Sequence, residues 1–485
     1  MSRKFSSKLI RQSTGGLSGS DHESSSEVLT VDYVLDNFQN AEGFKRDIVS
    51  LVHRLHISRW RHISLADSST IKVTRISGAL TNAVYCISIA SEHVEVSHQP
   101  FSVLHSDSAV KMQRQNTTAP KLKNLRVPPL LLRVYGPNAS QLIDRDKELL
   151  LLKRLASRNI GPRILGIFGN GRFEQYLQAQ PLTKEDIRDP DISKVIAKRM
   201  RELHEGIDLT KDERDAGPSV WLSIQKWAHD AKKTLEQLDD LKKERPNCQF
   251  KSTKDILHTD WKTFVNSFEV YKQWLINRYE LGEDIKKDLV FAHNDAQYGN
   301  LLRIEPPAGS PLLQPANEHR QLVVIDFEYS SPNVPAYDIT NHFCEWMSDY
   351  HDSHRPQDIH TDKYPTEDEQ LRFIQSYVTH GLESFDEIDK IDAAIEKIWQ
   401  QSVNWRAAAH VSWCLWGIIS AQLPNKDDEG FEDAILFKES MPSSAEFDYF
   451  DYASQKSALF WGEMKILGLP VPKNVDLTKL KYIRN

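Results

Sequence analysis

The stretch FAHNDAQYGNLLRI, Phe291 to Ile304, governs the reading of the whole chain, together with VVIDFEYSSPNVPAYDITNHFCEW, Val323 to Trp346, a short spacer later. In the first run His293-Asn294-Asp295 is followed by four residues and then by Asn300. In the second, the apolar residues Val323 to Ile325 predict a buried strand, and Asp326 stands at its end, where a carboxylate can turn toward a metal ion.

The order and spacing of Asp295 and Asn300 are those of a kinase catalytic loop, in which the Asp accepts the proton of the substrate hydroxyl and the Asn helps to hold magnesium. Asp326-Phe327-Glu328 occupies the place of the kinase Asp-Phe-Gly. Magnesium takes oxygen ligands and binds through one or two carboxylates plus phosphates and water, a role for Asp326 and Asn300, while Asp295 stays off the metal to orient the attacking hydroxyl. Asp, Asn and Gly are also ordinary turn residues, and an isolated HxDxxxxN recurs by chance. The strand-borne Asp326 downstream and a nucleotide-lobe pattern upstream favour phosphoryl transfer.

At 485 residues the chain has room for two or three compact regions. Its 61 basic and 68 acidic side chains are interspersed and sum to −7, which indicates no basic face for a nucleic acid. The four cysteines, Cys86, Cys248, Cys344 and Cys414, lie far apart with no CxxC pair. That argues against a zinc site and against a disulfide framework, and predicts reduced thiols in a cytoplasmic protein. No apolar run of signal-peptide length opens the chain, and the longest apolar run, Ala407 to Ala421, is interrupted by His410 and Ser412. It predicts a buried helix, with no transmembrane segment.

Residues 1–27 are rich in Ser, Gly and charge and predict a disordered tail, whose serines after basic residues are candidate phosphosites. Residues 28–180 are expected to form an N-terminal, ATP-binding lobe and 181–485 a larger, mainly helical catalytic and substrate-binding lobe. Val31 to His56 reads as helix, and Ile71 to Ala90 as strand, turn and strand. The turn SGALTN, with Gly78, Thr81 and Asn82, either folds over phosphates through backbone N–H groups or is a plain hairpin. A polar insertion follows over 91–126, and then the strand LLLRVYG, Leu130 to Gly136. Arg133 within that strand needs a partner, and Glu148 on the next helix is the candidate, as in the cation and Glu pair with which kinases hold ATP phosphates. A structural salt bridge is the alternative reading. Gly161 to Thr183 predicts two strands joined at Gly169-Asn170-Gly171, and Ile192 to Gly206 an amphipathic helix in which His204 is a satisfied helix residue. The Pro-rich segment Pro306 to Arg320 carries no evident chemistry.

Aromatic residues gather toward the C-terminus. Trp413 and Trp416, three apart, share a helix face, and EFDYFDYA supplies Phe447, Tyr449 and Tyr452. Such rings are ordinarily core, but with Tyr329, Glu345 and Tyr350 they make the set for an organic cation, each ring contact worth about 0.5 to 2 kcal/mol when desolvated.

The motifs SGALTNAVY, LLRVYG, GRFEQY, HNDAQYGN, IDFEYSS and NHFCEWM, in this order over Ile71 to Leu469, resemble the choline/ethanolamine kinase family. The resemblance implies an α+β, bilobal protein-kinase-like fold, with an antiparallel sheet and helix in the N-terminal lobe and a mainly helical C-terminal lobe. It implies ATP and Mg2+ as cofactors, Asp295 as the catalytic Asp, and Asn300 and Asp326 as metal ligands. The nucleotide would meet Gly78, Thr81, Asn82, Arg133 with Glu148, Gln175, Leu177 and Gln297. The amino alcohol would meet Tyr329, Glu345, Tyr350, Trp413, Trp416, Tyr449 and Tyr452.

The paired tryptophans favour choline, since a trimethylammonium has no N–H to donate whereas a primary ammonium wants several acceptors. Expected is thus a choline kinase making phosphocholine, the first step toward phosphatidylcholine by the CDP-choline route. An ethanolamine or dual-specificity kinase is the near alternative, and an aminoglycoside-type kinase a more distant one. A pseudokinase scaffold is the alternative of another class, against which the intact Asp295, Asn300 and Asp326 argue. A homodimer is a candidate assembly, because family members often form one. Asn425 to Ser443 separates Trp416 from the EFDYFDY tyrosines and puts in question whether Tyr449 and Tyr452 reach the same pocket.

Overall fold

The computed structural model describes residues 28–36, 40–76, 82–89, 127–135, 150–246 apart from 153, 156, 157 and 159, then 250–280, 284–306, 308–382, 387–421, 423 and 447–483. The tail 1–27, the insertion 91–126, Gly78, Thr81, Glu148 and the segment 425–443 lie outside the described residues. The chain divides into two compact units, Met1–Ala179 with Ile304–Asn317, and Gln180–Arg303 with Glu318–Asn485.

The first unit is built on one mixed sheet. Its strands are β1 (Thr30–Val31), β2 (Ile71–Arg75), β3 (Asn82–Ile89), β4 (Leu130–Tyr135), β5 (Ile164–Phe168) and β6 (Gly171–Gln175), in the spatial order β1-β5-β6-β4-β3-β2. The β2–β3 pair is antiparallel from Ile71↔Ile89 to Arg75↔Tyr85, so the strand, turn and strand expected there forms, with its turn outside the described residues. Leu130, Leu132 and Val134 alternate into a core with Phe173, Trp60 and the inner face of helix α1 (Ala41–Arg54).

Helix was expected from Val31, but α1 begins only at Ala41. Asn40 accepts a hydrogen bond from the Gly43 backbone N–H at 2.8 Å, and an Asn in that position starts a helix by satisfying one of its orphan donors. Upstream, Thr30 and Val31 are claimed by the sheet, pairing in parallel with Ile167 and Phe168. The Asn170 side chain holds Leu35 from both sides, accepting from its N–H at 2.8 Å and donating to its carbonyl at 2.9 Å. A Cβ on Gly171 would run into the Arg133 carbonyl oxygen and lie 2.5 Å from the Phe168 ring, so this position needs glycine for close approach.

On the opposite face of β4, Arg133 is buried and directly opposite Arg172 of β6. Two like charges in that register repel, and Glu174 relieves them: its Oε1 lies 2.6 Å from Arg172 Nε and 3.4 Å from Arg133 Nε. The carboxylate beside Arg133 among the described residues is therefore Glu174 of the same sheet.

The second unit is mainly helical. Its helices are α2 (Pro190–Gly206), α3 (Lys211–Ala216), α4 (Ser219–Glu244), α5 (Thr253–Leu257), α6 (Trp261–Glu280), α7 (Pro335–Glu345), α8 (Glu367–Thr379), α9 (Ile388–Ser420) and α10 (Tyr449–Ile466). Small sheets carry the motif loops: β7 (Ala179–Pro181), β9 (Leu301–Ile304) and β10 (Leu322–Val324) in the order β10-β9-β7, and β8 (Val290–Ala292) paired with β11 (Ser331–Asn333). The apolar run from Ala407 lies buried within α9, packed against α4, α7 and α10. No helix among the described residues is long and apolar enough to cross a membrane.

Candidate active site

The catalytic-loop motif is held from behind by a residue that sequence reasoning passed over. Asp338, wholly buried on α7, accepts the backbone N–H of His293 at 2.8 Å and that of Asn294 at 2.7 Å. It also faces His204 Nε2 of α2 at 2.8 Å, while His204 Nδ1 meets the Tyr377 hydroxyl at 2.8 Å. Burial alone would raise the Asp338 carboxyl, but the hydrogen bond and charge of His204 and the partners at His293 outweigh it and hold the carboxyl below its ordinary range. His204 is thus a satisfied helix residue, as expected, and one that braces the loop. The available signal was an acid inside the apolar helix pattern of PAYDITNHF, where burial demands partners.

Asn294 takes a left-handed backbone conformation with φ of 64°, and its side chain donates to the Tyr329 carbonyl at 2.9 Å and to Ser331 Oγ at 2.9 Å. His293 Nε2 lies 2.9 Å from the Ile325 carbonyl oxygen. These bonds fasten the first motif to the second. β9 and β10 pair antiparallel with Leu301 opposite Val324, and the Ile325 N–H donates to the Asn300 carbonyl at 2.9 Å, which sets Asp326 next in chain beside Asn300. Asp326 is left-handed too, with φ of 63°, and turns the chain from β10 into the Phe327–Tyr329 helical turn.

Asn300 Nδ2 donates to Asp295 Oδ2 at 2.9 Å and to the Asp295 carbonyl at 2.9 Å. With its amide nitrogen so engaged, its Oδ1 is the atom suited to a metal ion. Burial, then the charges of Glu345, Asp326 and Glu328, push the Asp295 carboxyl well above its ordinary range. The negative charge of three further carboxylates therefore bears on Asp295, which favours a cation there. Gln297, expected near phosphates, uses Oε1 to accept the Gly299 N–H at 2.9 Å, shaping the turn between Asp295 and Asn300.

The aromatic residues form a continuous chain of rings. Tyr329 meets Trp413 with centroids 5.5 Å apart, Trp413 meets Trp416 at 5.5 Å, and Trp416 meets Tyr449 at 5.7 Å and Tyr452 at 6.0 Å. Phe447, named from the sequence beside these tyrosines, lies 5.3 Å from Tyr452 and 6.3 Å from Tyr350. Tyr350 ends the chain by donating its hydroxyl to Glu345 Oε2 at 2.6 Å. The polar ends of the rings are used as well: Trp416 Nε1 donates to the Tyr329 hydroxyl at 2.8 Å and Trp413 Nε1 to Asn341 Oδ1 at 3.0 Å. Tyr449 and Tyr452 thus reach Trp416 in spite of the intervening segment, because α10 packs along α9.

Glu345 is buried, and its carboxyl is raised by that burial, a rise that nearby Lys456 and the Tyr350 hydroxyl restrain. Lys456, unflagged by sequence reasoning, is itself buried, with Nζ 5.1 Å from the Tyr452 ring centroid. In the first unit Arg133 lies in the sheet as described, Gln175 ends β6 and accepts from Arg163 Nε at 3.3 Å, and the Leu177 carbonyl accepts the Ala179 N–H at 2.9 Å. Asn82 opens β3 opposite Tyr135. The segment 306–320 is not chemically blank at its end: His319 is buried against Glu202.

A sheet-based unit followed by a mainly helical one, with an Asp and Asn loop tied to a strand-end Asp, defines the class of protein-kinase-like phosphotransferases. A solved choline kinase from Cryptosporidium parvum Iowa II has the same fold, with a TM-score of 0.58 at 22% identity over 87% of this chain and 95% of that one. The family model for choline/ethanolamine kinase matches residues 73–461. The choline kinase of Saccharomyces cerevisiae is 31% identical, over 95% of this chain and 82% of that protein. The ethanolamine kinase of the same yeast is 30% identical, over 95% and 84%. The chain belongs to the choline/ethanolamine kinase family and is a small-molecule kinase.

Proposed function

We propose that the chain transfers the γ-phosphoryl group of ATP to the hydroxyl of choline. Relatives of both substrate names match at nearly equal identity, so the choice between them rests on the site. The observation that carries it is the run of rings from Tyr329 through Trp413 and Trp416 to Tyr452, ending at the Glu345 carboxylate. Aromatic faces with one carboxylate suit a quaternary ammonium, which offers charge but no N–H.

Asp295, whose raised carboxyl makes it a stronger base than an exposed Asp, takes the hydroxyl proton. The hydroxyl oxygen then bonds to the γ-phosphorus as the bond from that phosphorus to the leaving ADP oxygen breaks. Magnesium fits the donor set, because crowded carboxylates beside an amide oxygen are oxygen ligands in need of positive charge. Asp326 and Asn300 would hold it, and it would neutralise charge on the phosphate oxygens. Arg133, Gln175, Leu177, Gln297 and the Gly78 to Asn82 turn are proposed to serve the nucleotide, and the free Cys86, Cys344 and Cys414 accord with a cytoplasmic location.

The test is ADP release by the purified chain with magnesium-ATP, with choline and ethanolamine in parallel against a blank without acceptor. Release that depends on choline at a higher kcat/KM than on ethanolamine is expected. A preference for ethanolamine would overturn the assignment of the ring chain to a quaternary ammonium, and no release with either would put a scaffold role in its place.

A further inference from the structure

A second cluster of potential ligands lies in the helical unit, apart from the residues assigned to catalysis. Glu202 of α2, His319 at the end of the Pro-rich segment and His380 just past α8 bring one ligand atom each to within 4.8 Å of the others. Both imidazoles turn Nε2 toward the same oxygen: His319 lies 2.9 Å and His380 3.5 Å from Glu202 Oε1. The two rings meet edge to face with centroids 4.9 Å apart.

Two His and a carboxylate are the donor set of an open zinc site, with a fourth position left to water. Ligands held about 2.1 Å from a tetrahedral ion stand roughly 3.4 Å apart, close to the separations found around Glu202 Oε1. The surroundings suit a ligating carboxylate. The other oxygen, Oε2, is engaged by Arg199 Nη1, which orients the carboxylate and leaves Oε1 facing the histidines.

We infer that Glu202, His319 and His380 form a binding site for a divalent transition metal, zinc by its donor set, that fastens the end of the 306–320 segment to α2 and α8. The absence of paired cysteines argued against zinc from the sequence, but this site needs none, and its ligands lie 61 to 178 positions apart in the chain. Glu202 is two residues from His204, which braces Asp338, so the metal would stiffen the helix behind the catalytic loop.

The test titrates zinc chloride into the chelator-treated full chain by calorimetry, in excess magnesium so that the catalytic carboxylates are occupied, with a thermal melt in parallel. Expected are one saturable site and a rise in Tm, with at least about a tenfold loss of affinity in His319→Gln and in His380→Gln. His380 is partly exposed, so its variant is expected to fold even where that of buried His319 does not. Cobalt substitution gives a readout without variants, since four-coordinate cobalt absorbs strongly in the visible. No saturable zinc binding, or equal affinity in wild type and His380→Gln, would overturn the site and leave Glu202 as a plain ion-pair partner of Arg199.

Discussion

At the scale of single residues, Glu345 is proposed to meet the acceptor's charge. It must be ionised to attract a cation, yet burial raises it above the ordinary value of 4.5. Lowering the pH through that raised value protonates it, so the acceptor KM is predicted to rise on the acid side, at a pH higher than an exposed Glu would set. Glu345→Gln should raise the acceptor KM about 10-fold or more and flatten this dependence, while the ATP KM changes little. An unchanged acid limb in the variant would assign the titration to Asp295, which is also raised. Asp295, Asn300, Asp326 and the aromatic residues could be proposed from the sequence because the proposed reaction constrains their types and spacing. Asp338 and Lys456 could not be, because they act on Asn294 and Glu345, 44 and 111 positions away along the chain.

At the scale of elements, the ring chain depends on how closely α10 lies on α9. Gly417 sits at their contact, and a Cβ there would lie 3.0 Å from the Tyr449 carbonyl oxygen and 3.2 Å from both Ala453 and the Tyr452 ring. Ala gains about 1 kcal/mol of helix propensity over Gly, but overpacking against a backbone atom costs about 1 to 3 kcal/mol, so the clash prevails. Gly417→Ala is predicted to lower Tm and raise the acceptor KM with the ATP KM retained. A variant with wild-type KM for the acceptor would show that the α9–α10 spacing does not control the pocket. Period and turn chemistry made β2 to β6, β10, α2 and the buried part of α9 readable, including the Gly169-Asn170-Gly171 hairpin. The start of α1 was misread because a helical spacing of apolar residues runs across Asn40, whose capping bond decides the boundary, and because β1 is set by pairing with β5, more than 130 residues on.

At the scale of the whole molecule, the family resemblance carried by the order of the motifs implied an α+β fold of two units, and the similarity to a solved choline kinase shows that fold. What the sequence left open is how the site's charges act on one another: Glu345 lies 50 positions beyond Asp295 in the chain, yet its charge, with those of Asp326 and Glu328, raises the Asp295 carboxyl. Carboxylates beside a wall of rings favour cations, which supports the proposed magnesium and ammonium alcohol. The most direct test follows the phosphorus nucleus itself, by 31P NMR of magnesium-ATP and choline with the wild-type chain and with Asp295→Asn. A choline phosphomonoester growing in step with ADP is predicted for the wild type, slowed about 10²- to 10⁴-fold in a variant that keeps the same melting behaviour. Loss of the γ-phosphate signal without a choline ester, or equal rates in the two proteins, would contradict transfer to choline through Asp295.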